Sequence, residues 1–148
     1  MGVIVQTKVT PDPKKVQREL DRARRELANL ETPNRQAAAF LDRWVQRNFK
    51  TEGQLVGGWK PFARGGRRGD TTAKLLQDTG RLRLSFLPFA DRRTAGVGSR
   101  LPYSVVHQRG LRGVPQRRVL PEAREVREDL RKIYGHHVRV SVVARRYA

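Results

Sequence analysis

Lys74-Leu75-Leu76-Gln77-Asp78-Thr79-Gly80-Arg81-Leu82-Arg83-Leu84-Ser85-Phe86 opens the most informative region of the chain. Val97-Gly98-Ser99-Arg100-Leu101-Pro102-Tyr103-Ser104-Val105-Val106-His107-Gln108-Arg109-Gly110 follows, then Pro115-Gln116-Arg117-Arg118-Val119-Leu120-Pro121. Asp70, Thr71 and Thr72 can cap a short helix bearing Leu75 and Leu76, and Gly80, free to adopt left-handed dihedrals, would end it. Leu82, Leu84 and Phe86 alternate with Arg81, Arg83 and Ser85, the two-residue period of a half-buried strand that Pro88 stops. Asp91-Arg92-Arg93 reads as a hairpin loop and Thr94 to Ser99 as a second strand, with Gly96 and Gly98 permitting a bulge or a close backbone approach. A one-turn helix and a Pro-bounded return complete the region.

Upstream, Val3, Val5, Thr7 and Val9 alternate as in a short edge strand. Thr10-Pro11-Asp12-Pro13 interrupts it, because neither proline can donate to a ladder, and Asp12 can cap a helix with Pro13 in its first turn. Val16, Leu20, Ala23, Leu27 and Leu30 then form a narrow apolar stripe, with Arg18, Arg22, Arg24 and Arg25 off it. Glu31-Thr32-Pro33-Asn34 reads as a stop, with Thr32 capping a second helix that runs through about Phe49. Ala37, Phe40, Leu41, Trp44, Val45 and Phe49 are its apolar face.

Glycines and a proline between Lys50 and Gly69 break every period, as in a long surface loop. Within it Trp59-Lys60-Pro61-Phe62 can anchor one end by burying aromatics, or serve a partner. Downstream, Pro121-Glu122 opens a helix faced by Ala123, Val126, Leu130 and Ile133 and ending near Gly135. Val138, Val140 and Val142 alternate as a final strand.

The expected fold class is α+β: one domain, with an antiparallel or mixed sheet of about four strands and helices packed against it. The strands fall near 3–9, 82–88, 94–98 and 137–145. The parts are a helical stretch over 11–50, a Gly/Arg-rich loop over 51–70 and a sheet-and-helix core over 71–148.

The chain has 148 residues, enough for one core without staples. It has no cysteine, which removes disulfides, thiolate metal sites and thiol nucleophiles and suits a reducing compartment. Met1 to Lys8 lacks the basic and long apolar segments of a secretory signal, so a protein used without export and without a membrane span is expected. Its net charge is +18, from 32 Lys plus Arg against 14 Asp plus Glu. Arginine dominates, with 25 against 7 lysines, and its planar fork suits phosphate and carboxylate. Such a field attracts nucleic acid or acidic protein surfaces.

Catalytic apparatus is not legible. His107 stands alone, and His136 and His137 lack the i, i+4 spacing that puts two ligands on one helix face. Ser99 lacks the second glycine of a nucleophile elbow. Glu122, Glu125, Glu128 and Asp129 cluster on a helix rich in arginine, as a solvated charged face does. The Gly/Arg loop lacks the Gly-Lys-Ser/Thr ending of a phosphate-binding loop. No enzyme activity, cofactor or metal is expected.

One ordered set of short motifs resembles the phage virion morphogenesis, or tail completion, family of Mu-like phages. The residues are Trp59 with Pro61, Lys74, Thr79-Gly80-Arg81-Leu82 with Ser85, Val97-Gly98-Ser99, Tyr103, His107-Gln108-Arg109-Gly110, and Pro115 through Arg117, Arg118, Val119 and Leu120. They cover about half the chain in order, while residues 1–50 carry none of them. The resemblance implies a structural virion protein of the neck or head-proximal tail end. It would form a ring of about six or twelve copies that completes the tail or joins it to the head around the DNA channel. Neighbouring neck, portal or tail proteins, and packaged double-stranded DNA, are the implied partners; the virion, and host cytoplasm during assembly, are the implied locations. Trp59, Thr79, Gly80, Leu82, Gly98, Tyr103, His107, Gln108 and Gly110 would then define the fold. Arg64, Arg67, Arg68, Arg92 and Arg93 are the candidates to face DNA or an acidic partner ring. The alternative is a basic nucleic-acid-binding protein acting through arginine–phosphate contacts.

Overall fold

The computed structural model describes residues 12–61 and 74–143. Among them are five α-helices and one two-stranded sheet: α1 Pro13–Ala28, α2 Glu31–Lys50, a 3₁₀ turn Gln54–Val56, α3 Arg81–Leu84, β1 Phe86–Ala90, β2 Ala95–Ser99, α4 Tyr103–Arg109 and α5 Ala123–Val143. The class is α+β, and the described residues hold a sheet of two strands where the sequence implies about four. The strand expected over 3–9 lies outside the described residues.

α1 starts where expected: the Asp12 carboxylate accepts the Lys14 amide at 3.0 Å, as an N-cap does. α2 begins at Glu31, before Thr32, and the cap is different. Leu30 stands at the N-cap without a side-chain bond; Asn29 Oδ1, one residue earlier, accepts the Glu31 amide at 3.2 Å. Thr32 and Pro33 lie inside the first turn, where a proline loses no helical hydrogen bond.

α2 is the spine. β1 and β2 both pack on it, and α5 contacts it as well. Val45, Phe49, Trp59, Leu75, Leu82, Phe86 and Val119 form the core, with Trp44, Val97 and Leu101 packed around them. Phe49 meets Trp59 edge-on at 5.4 Å and Phe86 at 5.9 Å between ring centroids.

Two expectations fail around Gly80. Residues 74–80 form turns and bends, not a helix; long-range bonds take the backbone and side-chain groups that a lone short helix would leave poorly supported. The Leu75 amide donates to Glu52 Oε1 at 2.9 Å and Gln77 Nε2 to the Phe49 carbonyl at 2.8 Å. Second, residues 82–85 are not extended. Gly80, at φ +68°, turns the chain into α3, whose bonds run from Leu84 N to Gly80 O and from Ser85 N to Arg81 O. The Ser85 hydroxyl also donates to Leu82 O. Leu82 is therefore buried while Leu84 is 74% exposed, and strand pairing begins only at Phe86.

The hairpin is antiparallel, with Phe86 opposite Ser99, Pro88 opposite Val97 and Ala90 opposite Ala95. Its loop is Asp91 to Thr94, one residue longer than the expected Asp91-Arg92-Arg93, and β1 continues through Pro88 to Ala90 where the sequence implies a stop at Pro88. Phe86 and Val97 reach the core. Leu87 and Phe89, on the other face, are 63% and 55% exposed.

The strand expected over 137–145 is instead the last part of α5, which passes through Gly135 and runs to Val143; residues 144 and 145 lie outside the described residues. A strand here would need a ladder partner, whereas the helix satisfies its backbone internally. Tyr134 fixes the path, its hydroxyl donating to Asn34 Oδ1 at 2.7 Å. Val138, Val140 and Val142 have the right period for a strand, but among the described residues the sheet is β1 and β2 alone and they do not pair with it.

Candidate functional site

Three of the motif residues, Trp59, His107 and Gln108, bond to one segment, Arg117 to Leu120, and a fourth, Gly110, turns the chain toward it. The Gln108 side-chain oxygen accepts the amides of Val119 and Leu120 at 2.8 and 3.0 Å. The Arg118 carbonyl accepts Trp59 Nε1 at 2.8 Å and Asn48 Nδ2 at 3.0 Å. The His107 carbonyl accepts the Arg117 amide at 2.8 Å. Gly110, at φ +69°, ends α4 and lets the chain turn back; a Cβ there would stand 2.9 Å from the Gln116 nitrogen. This clamp buries Val119 completely and makes Trp59 part of the core.

Arg117 is only 5% exposed, and its guanidinium donates to the carbonyls of Lys60 and Pro61 at 2.9 and 3.3 Å. Burial lowers its pKa. His107 lies beside it, its ring edge-on to Tyr103 and its Nδ1 buried with no hydrogen-bond partner among the described residues. Desolvation first, and then the Arg117 charge, lower the His107 pKa. Arg118 pairs with Glu122 and Glu125. Burial alone would raise the Glu125 pKa, but the Glu122 amide and the Arg118 guanidinium together hold it low.

Thr79, Gly80, Leu82 and Gly98 are elsewhere, in the α3 turn and the hairpin. Thr79 Oγ1 accepts the Arg81 amide at 3.4 Å. Ser85 and Ser99 join hydroxyls at 2.7 Å across the start of the hairpin. Tyr103 is at the surface, 39% exposed. Asn48 carries the clamp without being singled out in the sequence, and the burial of Arg117, a motif residue, is not legible there either. An Asn beside Phe49 and an Arg in a basic run look like surface residues until their partners, about 60 to 70 positions away, are known.

Of the five candidate contact arginines, Arg64, Arg67 and Arg68 lie outside the described residues. Arg92 and Arg93 are exposed at the hairpin tip, which is firmly held. The Asp91 carboxylate accepts the Arg93 amide at 2.7 Å, the Thr94 amide at 2.8 Å and the Thr94 hydroxyl at 2.6 Å. Those bonds, the Thr94 hydroxyl foremost, lower the Asp91 pKa. Asn34 Nδ2 donates to the Asp91 carbonyl at 2.8 Å, and Leu30 N to the Arg92 carbonyl at 3.3 Å. The tip is thus docked on the α1–α2 corner, with both guanidinium groups toward solvent.

The outer hairpin face is apolar. The Phe89 ring lies across Gly96, where a Cβ would stand 2.5 Å from its Cζ, and Leu87 is paired with Gly98 beside it. Among the described residues no group of three or more His, Cys, Asp or Glu is placed to hold a metal ion. No helix among them is long and apolar enough to cross a membrane.

The described residues thus present a clamp made of turns and caps, an apolar outer hairpin face and a basic tip held by hydrogen bonds. Across residues 12–147 the chain matches the phage virion morphogenesis family, and it belongs to that family. Its place is therefore among phage proteins of virion structure and assembly. The match also takes in α1 and α2, where the motifs are silent. No curated protein and no solved structure matches the chain.

Proposed function

We propose that this protein is a structural component of the virion neck or head-proximal tail end. It assembles there as a ring of about six or twelve copies around the DNA channel and completes the tail or joins it to the head. Family membership over residues 12–147 carries this reading. The surface supports it: Leu84, Leu87 and Phe89 leave a monomer with exposed apolar side chains around one hairpin, a feature that marks surfaces covered on association. Copies of a +18 chain repel one another, so an acidic neighbouring ring or threaded DNA supplies the compensating charge. Arg92 and Arg93, with Arg64, Arg67 and Arg68, are the residues proposed to meet it. Assembly takes place in the host cytoplasm.

Infection with a phage lacking the gene tests the role. Unjoined heads and tails should accumulate, and the protein supplied in trans should restore joined particles. Joined, infectious particles formed without it would contradict the role. The second reading, a nucleic-acid-binding protein that acts outside the particle, is favoured by net charge alone; it predicts normal head–tail joining in the same infection.

A further inference from the structure

α1 carries two stripes on opposite sides. Val16, Leu20, Ala23 and Leu27 recur at four, three and four residues, and Lys15, Arg18, Arg22 and Arg25 at three, four and three. At 100° per residue the two sets lie roughly half a turn apart. The helix packs against α5, and all four cations are exposed. They border an open groove of about 360 Å³ whose remaining walls are Glu19 and Asp21. Asp21 is engaged by Gln17 Nε2 at 3.1 Å. Across the sixteen residues of α1 there are six basic side chains and three acidic ones.

Charge placement along the helix points the same way. The first turn has no acidic residue; instead Lys14 and Lys15 sit at the end where the helix dipole already favours anions. That arrangement costs helix stability and strengthens the positive potential. At the other end of α1 the basic hairpin tip is bonded to Leu30, so Arg92 and Arg93 extend the positive surface past the α1–α2 corner.

We infer that the basic face of α1 is a docking surface for the phosphate backbone of duplex DNA. The exposed apolar residues of α1, Val16, Leu20 and Leu27, lie on its other side, so a protein seated on the basic face would find no apolar interface core there. A duplex backbone is a line of charges, one per about 1.7 Å of axis. Lys15 to Arg25 spans about 15 Å of helix, so several phosphates fall within reach of the four side chains. The inference deepens the channel reading above and rests on it for the identity of the polyanion.

The test is fluorescence-anisotropy titration of the full chain with a random-sequence 20-base-pair duplex at a series of salt concentrations. The variant Lys15→Gln/Arg18→Gln/Arg22→Gln/Arg25→Gln is compared with wild type after circular dichroism confirms its helix content. Each phosphate that the variant leaves unneutralised should reduce the slope of log affinity against log salt by about 0.9, so its slope should be shallower by roughly three to four. Arg18→Gln and Arg25→Gln alone should each make the slope shallower by about one, which keeps the inference testable if the fourfold variant does not fold. A wild-type slope retained in these variants overturns it. So does a fourfold variant that binds DNA like wild type yet fails to restore joined particles, because the stripe then meets an acidic protein. Joined particles formed without the protein would refute the assembly role and leave the binding result standing.

Discussion

Gly110 and His107 show how single residues hold the clamp. At φ +69°, with Gln116 packed where a side chain would start, position 110 accepts only glycine without strain. Gly110→Ala should cost about 1–3 kcal/mol, read as a lower urea midpoint with an unchanged slope. His107 is held neutral by burial and by Arg117. Its folded pKa lies below the ordinary value of 6.5, so in the window beneath that value the unfolded chain binds the proton more readily. Its contribution is complete above about pH 6.5 and is lost as pH falls toward the lowered pKa. Stability measured from pH 7 down to 5 should therefore decline, and His107→Gln should flatten that decline. An equal slope in the variant would show that other groups set it.

At the scale of elements, legibility divides along the range of the interactions. α1 and α2 are readable because their periods and breaks are local: Asp12 caps one, and Ala37, Val45 and Phe49 face the core in the other. The hairpin loop is readable because Asp91 can tie its own turn. Leu82, Leu84 and Phe86 mislead because three apolar residues at period two also fit a helical turn followed by a strand; the Gly80 dihedral and the Ser85 cap decide between them. Val138, Val140 and Val142 mislead because alternation says nothing about whether a sheet edge is within reach. Of the candidate contacts, the exposure of Arg92 and Arg93 is legible in the sequence, but their fixed seat on Leu30 and Asn34 is not. The course of α5 has a sharp test. Gly135 lies inside a helix, and nothing stands within 4 Å of where its Cβ would be. Gly135→Ala should raise stability by about 0.5–1 kcal/mol. Were Gly135 the left-handed end of the helix, the same change would lower it.

At the scale of the whole molecule, the fold separates what holds it together from what it offers outward. The clamp on Arg117–Leu120 and the α2 spine face inward; Leu87, Phe89, the hairpin tip and the basic stripe of α1 face outward. Leu87→Ser/Phe89→Ser should thus change stability by no more than about 1 kcal/mol in thermal unfolding, yet reduce incorporation into particles. A large loss of stability would mean that this face belongs to the core of the monomer. The most direct test of a virion role is quantitative mass spectrometry of purified infectious particles. The protein should be present at a fixed ratio to the other structural proteins, corresponding to one ring of about six or twelve copies per particle. Its absence from those particles would contradict the account.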